Sequence, residues 1–150
     1  MIRIATIKDK EEILELANYH IEHVGDLILG EPNKDSINAL ADHILQDPNS
    51  ACFVYEKEGK ILGILAGFVD TPTLNKERFF NECLFVFRPD CGAYSVPLIK
   101  AVKRFVVDAG LDGLIMGCMA DAGDRIFELY NKLGLVDLER KYVWKPMQNK

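Results

Sequence analysis

Phe79-Phe80-Asn81-Glu82-Cys83-Leu84-Phe85-Val86-Phe87-Arg88 is the most strand-like run in the chain, dense in aromatic and aliphatic side chains and poor in charge. So continuous an apolar run predicts a central strand, covered on both faces, with Phe79, Phe80, Phe85 and Phe87 as sheet core. The loop Pro89-Asp90-Cys91-Gly92-Ala93-Tyr94 follows. It leads to an N-cap expected at Ser95 and a helix to about Ala109, whose apolar stripe is Val96, Ile99, Val102, Val106 and Ala109, with Gly110 placed to end it. Residues 114–119, LIMGCM, are too short and too evenly apolar for a surface helix and read as a buried strand. A helix over 124–133 closes at Gly134, and 135–145, LVDLERKYVWK, alternates in its second half and is expected to be a last strand.

On the N-terminal side of the central run, residues 70–78 with Pro72 form a loop. Before it, 51–56 and 61–69 are β-prone and joined by Lys57-Glu58-Gly59-Lys60, an antiparallel hairpin. A helix opening at Asp35-Ser36 carries Ile37, Leu40, Ala41, Ile44 and Leu45 on one face and stops at Asp47-Pro48. An earlier helix, capped by Thr6 or Asp9, carries Ile13, Leu16, Ala17, His20, Ile21 and Val24 at a 3.6 period and fades at Gly25; residues 2–7 precede it as a short strand. The element order is β-α-α-β-β-β-α-β-α-β, an α/β (α+β) fold with a mixed sheet, a meander followed by strand-helix-strand crossovers. Neither a repeat nor a linker divides the 150 residues, so residues 1–150 are expected to be a single domain.

Hydrophobic residues make up 49% of the chain and charged ones 27%, the balance of an ordinary globular protein. No stretch approaches the roughly 20 apolar residues of a membrane span, and the N-terminus offers neither an apolar h-region nor a cleavage site, so a cytoplasmic location is expected. The net charge of −5 is spread over both halves without a basic face, which argues against nucleic acid as a partner. Cys52, Cys83, Cys91 and Cys118 show neither C-x-x-C spacing nor a His cluster. Buried, reduced thiols are expected at all but Cys91, and no metal site. His20 and His23 read as packing or surface residues of the first helix, and Glu11-Glu12 and Glu139-Arg140-Lys141 as solvated faces.

Phe127-Glu128-Leu129-Tyr130-Asn131-Lys132-Leu133-Gly134-Leu135 resembles the helix-to-strand motif of the GNAT (Gcn5-related) N-acetyltransferases, and Glu139 to Lys145 looks like their final strand. The element order is the GNAT order too. The resemblance implies a centrally splayed sheet and an acetyl-CoA-dependent N-acetyltransferase acting on a primary amine of a small molecule or protein. Phe85, Val86 and Phe87 would contact pantetheine, and the loop Gly92, Ala93, Tyr94, Ser95 and Val96 would hold the pyrophosphate at a helix N-terminus. Tyr130 would protonate the departing CoA sulfur, and Glu82 would be the base, with Asn81 competing for its place; a solvent-facing carboxylate is the alternative for Glu82. The chain departs from the pattern in that loop. The usual Arg or Gln and most of the glycines are gone, Pro97 lacks an N–H, and Gly123 or Asp124 stands where many members carry Asn.

A second reading follows, a GNAT-fold binding or assembly module whose cofactor site has decayed, a style shared with compact phage-encoded members. The acceptor pocket of the family comes from about residues 20–36, where Glu22, Asp26 and Glu31 hint at a cationic acceptor. Trp144 in the last strand would let that strand pair in a homodimer.

Overall fold

Glu58 and Gly59 both have positive φ, 52° and 76°, the type I′ geometry whose twist suits a two-residue hairpin. In a computed structural model, which describes residues 1–23, 31–71, 76–118 and 123–146, this turn joins two long antiparallel strands. The elements are β1 (Ile2–Ile4), α1 (Lys10–His23), α2 (Lys34–Gln46), β2 (Ser50–Lys57), β3 (Lys60–Asp70), β4 (Phe79–Phe87), α3 (Ser95–Asp108), β5 (Gly113–Ile115) and α4 (Asp124–Lys132). Single 3-10 turns at Ile7–Asp9 and Gly92–Tyr94 precede α1 and α3. The sheet runs β1-β2-β3-β4-β5, antiparallel throughout except that β4 and β5 are parallel, joined by way of α3.

The chain gathers into two units, residues 1–25 with 32–117 and residues 26–31 with 118–150. The larger holds the whole sheet. On one face, Ile13 and Leu16 of α1 and Ile44 of α2 pack on Cys52, Val54, Ile64, Ala66 and Val86. Toward α3, Phe105 meets Phe53 and Phe80 edge to face, with centroids 5.2 and 5.7 Å away, and Leu98, Ile99 and Val102 are fully buried. In the smaller unit, α4 ends in a Schellman motif: Gly134, at φ 85°, donates to the Asn131 carbonyl and Leu135 to that of Tyr130. Gly110, at φ 68°, ends α3 by the same device.

Several sequence-based boundaries shift. The first helix is entered through Ile7–Asp9, and its expected end at Gly25 lies outside the described residues. The second helix, expected to open at Asp35-Ser36, begins at Lys34, capped by Asn33, whose side chain accepts the Ser36 N–H at 3.1 Å. Ser95 is the first residue of α3 rather than its cap, because the backbone is already wound from Gly92 and Tyr94 takes the capping position without a side-chain bond. The strand expected over 114–119 is Gly113–Ile115. The last strand, expected over 135–145, is not one. No described residue pairs with it, and Val136, Leu138, Tyr142 and Trp144 are exposed. Alternation decides which face a strand would bury, but a strand exists only against a neighbour that takes its backbone bonds.

The first residues are tied down by a fork of charge. Arg3 donates to both Asp9 carboxylate oxygens at 2.8 and 2.9 Å and to Glu56 at 2.6 Å, while Asp9 also accepts the Thr6 N–H. The Arg3 bonds hold the Asp9 carboxyl below its usual range. A depressed carboxylate contributes stability above its unfolded pKa, here 3.8, and loses it as the pH falls through the folded value. Asp9→Asn should therefore lower unfolding stability by about 1–2 kcal/mol at pH 7, and the deficit should shrink below about pH 4; urea denaturation at both pH values checks it.

Candidate active site

Parallel strands β4 and β5 share only three register pairs, Phe79 with Gly113, Phe80 with Leu114 and Asn81 with Ile115. Beyond Asn81, β4 stays paired to β3 as far as Phe87 but has no ladder partner on its other side among the described residues. The divergence coincides with a β-bulge. Ala66 pairs with Leu84 and Gly67 with Glu82, so Cys83 is an extra residue on β4, and a bulged strand bends and twists away from its former line. Gly67 makes this approach feasible, since a Cβ there would run into the Asn81 carbonyl.

Glu82 stands where the strands part. Its Oε2 accepts the Gly117 N–H at 3.2 Å, reaching across from β4 to the segment that follows β5. Burial pushes its carboxyl above the usual range, and the Gly117 N–H pulls it partly back. Phe85, Val86 and Phe87 form the far wall of the fork. The Phe85 and Phe87 rings meet edge to face at 5.0 Å, Val86 is buried beneath α1, and half of the backbone groups of this stretch point to the open side by the ordinary alternation of a strand. Phe87 lies over Gly63, where no side chain would fit.

The loop that follows is pinned from both ends. Arg88 donates Nε to the Ile61 carbonyl at 2.6 Å, Nη1 to Glu15 at 2.9 Å and Nη2 to Glu12 at 3.2 Å, while Glu12 also accepts the Ile61 N–H at 2.7 Å. Glu12 is thus no part of a solvated face; it joins α1 to β3 and the end of β4. Farther on, the Tyr94 ring stacks on Tyr55 of β2 with centroids 4.1 Å apart. Between these anchors the Cys91 and Tyr94 amides donate to Arg88 and Cys91 carbonyls at 3.1 Å, and the Ser95 amide donates to Gly92. Gly92, Ala93, Tyr94, Ser95 and Val96 thus form one short winding that runs into α3. A groove of about 350 Å³ lies between Glu15, Tyr19 and Glu22 of α1 and Arg88-Pro89.

Tyr130 lies on α4 in the smaller unit and is that helix's buried residue, its carbonyl held in the Schellman turn. His20 is half-buried, which lowers its pKa, and His23 bonds the Tyr19 carbonyl through Nδ1 at 2.7 Å. Neither meets the fork residues in any described contact. Cys52 is buried, its thiol pushed up to about 12 by desolvation. Cys83 and Cys118 are exposed against expectation, one because the bulge sets it out, the other because it follows the end of β5. Glu31 is exposed, and Asp26 lies outside the described residues. Sequence reading missed the bulge, the Glu12-Arg88 tie, Gly117 and the Tyr55-Tyr94 stack. The one available signal was the phase break between Phe80 and Phe85, five residues apart where a regular strand needs an even number to share a face.

Raising the Glu82 pKa means that the folded protein holds this proton more tightly than the unfolded chain does, so stability falls as pH rises from 4.5 through the folded value. Glu82→Gln removes that loss. Its urea midpoint should exceed that of the wild type at pH 7 and converge on it below about pH 4; a less stable variant at pH 7 would show that the Gly117 bond outweighs desolvation.

No family model and no curated protein matches the sequence. Solved structures do match over nearly the full length. A ribosomal-protein-alanine N-acetyltransferase from Brucella melitensis biovar Abortus 2308 superposes with a TM-score of 0.71 at 15% identity, over 97% of each chain. A probable acetyltransferase gives 0.76 at 15% identity, covering 100% of this chain and 99% of its own. The aminoglycoside N-acetyltransferase AAC(6')-Iy, bound to the bisubstrate analog CoA-S-monomethyl-acetylneamine, gives 0.75 at 19%, covering 99% of this chain and 98% of its own. These likenesses fix the architecture: the chain has the fold of the GNAT acetyltransferases.

Proposed function

We propose that this chain, having the GNAT fold, moves the acetyl group of acetyl-CoA to a primary amine of a small molecule or protein, as one domain over residues 1–150 in the cytoplasm. The observation that carries the reading is the fork in which β4 leaves β5 after three pairs, with a carboxylate at its apex. In this reading the thioester lies along β4, where the Phe85, Val86 and Phe87 backbone bonds pantetheine and an N–H faces the carbonyl oxygen as negative charge develops there. Glu82, directly or through a water, takes the proton of the attacking ammonium. A raised carboxyl pKa brings a base closer to the working pH. The nitrogen adds to the carbonyl carbon, its remaining extra proton passes to water, the C–S bond breaks as the carbonyl re-forms, and Tyr130 protonates the thiolate, a modest task for a thiol of pKa about 8.5.

Gly92 favours the same reading. A Cβ there would meet nothing within 4 Å, and its φ lies outside the left-handed region, so the fold itself places no demand for glycine. A bare backbone serves approach from outside, as a pyrophosphate at the start of α3 requires. A second reading, a GNAT-fold binding or assembly module, is favoured by the Tyr94 and Ser95 amides, which donate within the loop. On either reading a homodimer would form through residues 135–146, where Tyr142 and Trp144 are exposed. The described residues include no helix long and apolar enough to cross a membrane.

Calorimetric titration with acetyl-CoA separates the readings, since the transferase should bind it and silence at millimolar ligand would sink that assignment. Gly92→Val should change stability by less than about 0.5 kcal/mol yet weaken acetyl-CoA at least about tenfold. Tyr130→Phe should lower kcat by about tenfold or more while leaving the KM for acetyl-CoA in place; an unchanged rate removes Tyr130 from the mechanism.

A further inference from the structure

Every residue from Val136 to Pro146 is exposed, and none belongs to a ladder among the described residues. The stretch nevertheless carries the pattern of a two-faced strand. Val136, Leu138, Tyr142 and Trp144 fall on the even positions with Arg140, while Asp137, Glu139, Lys141 and Lys145 fall on the odd ones. Glu139 and Lys141 meet at 3.4 Å, as same-side neighbours of an extended chain do. An aromatic side chain can bury about 150–250 Å², so Tyr142 at 87% and Trp144 at 81% exposure, with Val136 and Leu138, leave on the order of 600 Å² of one face open to water. An apolar face of that size marks a place of contact.

The charges of the segment point to its partner. Acids occupy the first half, Asp137 and Glu139, and bases the second, Arg140, Lys141 and Lys145. Such a segment is complementary to itself run backwards. We propose that residues 136–144 of two copies pair as antiparallel strands across a two-fold axis that passes through Arg140. The proposal rests on the homodimer reading of residues 135–146 and supplies its pairing; it stands apart from the transferase reading. A two-fold axis perpendicular to the paired strands keeps each face on its own side, so every residue meets one of equal parity. With the centre at Arg140, Val136 meets Trp144 and Leu138 meets Tyr142, each twice, while Glu139 meets Lys141 twice on the other face. Apolar and opposite-charge pairs of this kind are what hold neighbouring strands together. Moving the centre by one residue sets Trp144 against Gly134, which is held in the turn that ends α4, or Val136 against Pro146, which has no N–H. Arg140 alone meets its like, and its stem is long enough to carry the guanidinium out to water. Two such faces bury about 1,200 Å², the lower end of specific interfaces, so the expected dimer is of micromolar strength.

Trp144 is the chain's sole tryptophan, so its emission reports on this face directly. On dilution of the full chain through the micromolar range, sedimentation should pass from dimer to monomer and the emission should move to the red in step. Trp144→Ser should give monomers, and because the residue is exposed the fold is not at stake. Glu139→Lys and Lys141→Glu should each weaken the dimer by at least about tenfold at low salt, since like charges then meet twice. An equal mixture of these two variants should recover it as a heterodimer, with acid against base at both meetings. A chain that stays monomeric throughout, with emission that does not change with concentration, sinks this pairing and the homodimer together. A dimer indifferent to Trp144→Ser forms elsewhere on the chain and overturns the proposal. A dimer that Trp144→Ser abolishes but that neither charge variant weakens keeps the homodimer through residues 135–146 and overturns the pairing about Arg140.

Discussion

The candidate site depends on where β4 stops sharing hydrogen bonds with β5. A strand buried in the middle of a sheet has its N–H and C=O groups spoken for on both sides, and a ligand can borrow none of them. Here the parallel ladder ends at Asn81, and among the described residues 82–87 pair with β3 alone. The cause sits in the sequence as one extra residue. With Cys83 unopposed, β4 bends at the point where Glu82 begins to reach for Gly117 rather than for a ladder.

The same extra residue reconciles two cores. Phe80 belongs with Phe53 and Phe105 on the α3 side, while Leu84 and Val86 belong with the α1 and α2 side. Strict alternation from Phe80 would have put Leu84 against α3 and Phe85 against α1, reversing the faces of the second half of the strand. The bulge absorbs the phase error, so both halves bury their apolar residues and the bend comes with it. Arg88 then fixes the end of β4 against α1 and β3 with three donors, and the bend cannot relax into a moving tail.

What was legible in the sequence was local. Glu58-Gly59 gave the hairpin because two positive φ values need a residue like Gly, and Gly110 and Gly134 ended their helices for the same reason. The element order through α4, the meander and the mixed sheet followed from periodicity. What stayed hidden was decided between distant segments. Nothing near Leu114 says that its strand will share three register pairs with β4, and nothing near Tyr142 says that its alternation will find no strand partner among the described residues. Glu12 looked like a solvent acid because its partners, Ile61 and Arg88, lie 49 and 76 residues away. Of the candidate site, the strand and Glu82 could be located from sequence, but the tie to Gly117 could not.

The loop departs from the GNAT pattern in composition, yet both of its ends are anchored. Its internal bonds are 3-10 bonds at 3.1 Å, poorer in geometry than those of an α-helix, and they begin at the end where a helix has unpaired donors in any case. A phosphate oxygen offers charge-assisted bonds about twice as strong as such neutral ones. On the acetyl-CoA reading, exchanging one for the other at the start of α3 would run downhill, provided that the chain is already in place and no ordering entropy is added. Tyr94 on Tyr55 and Arg88 on Glu12 meet that condition by holding both ends of the winding. A loop that has lost glycines but kept its anchors stays preorganised, so an anion bound there, on the acetyl-CoA reading, would add little ordering cost.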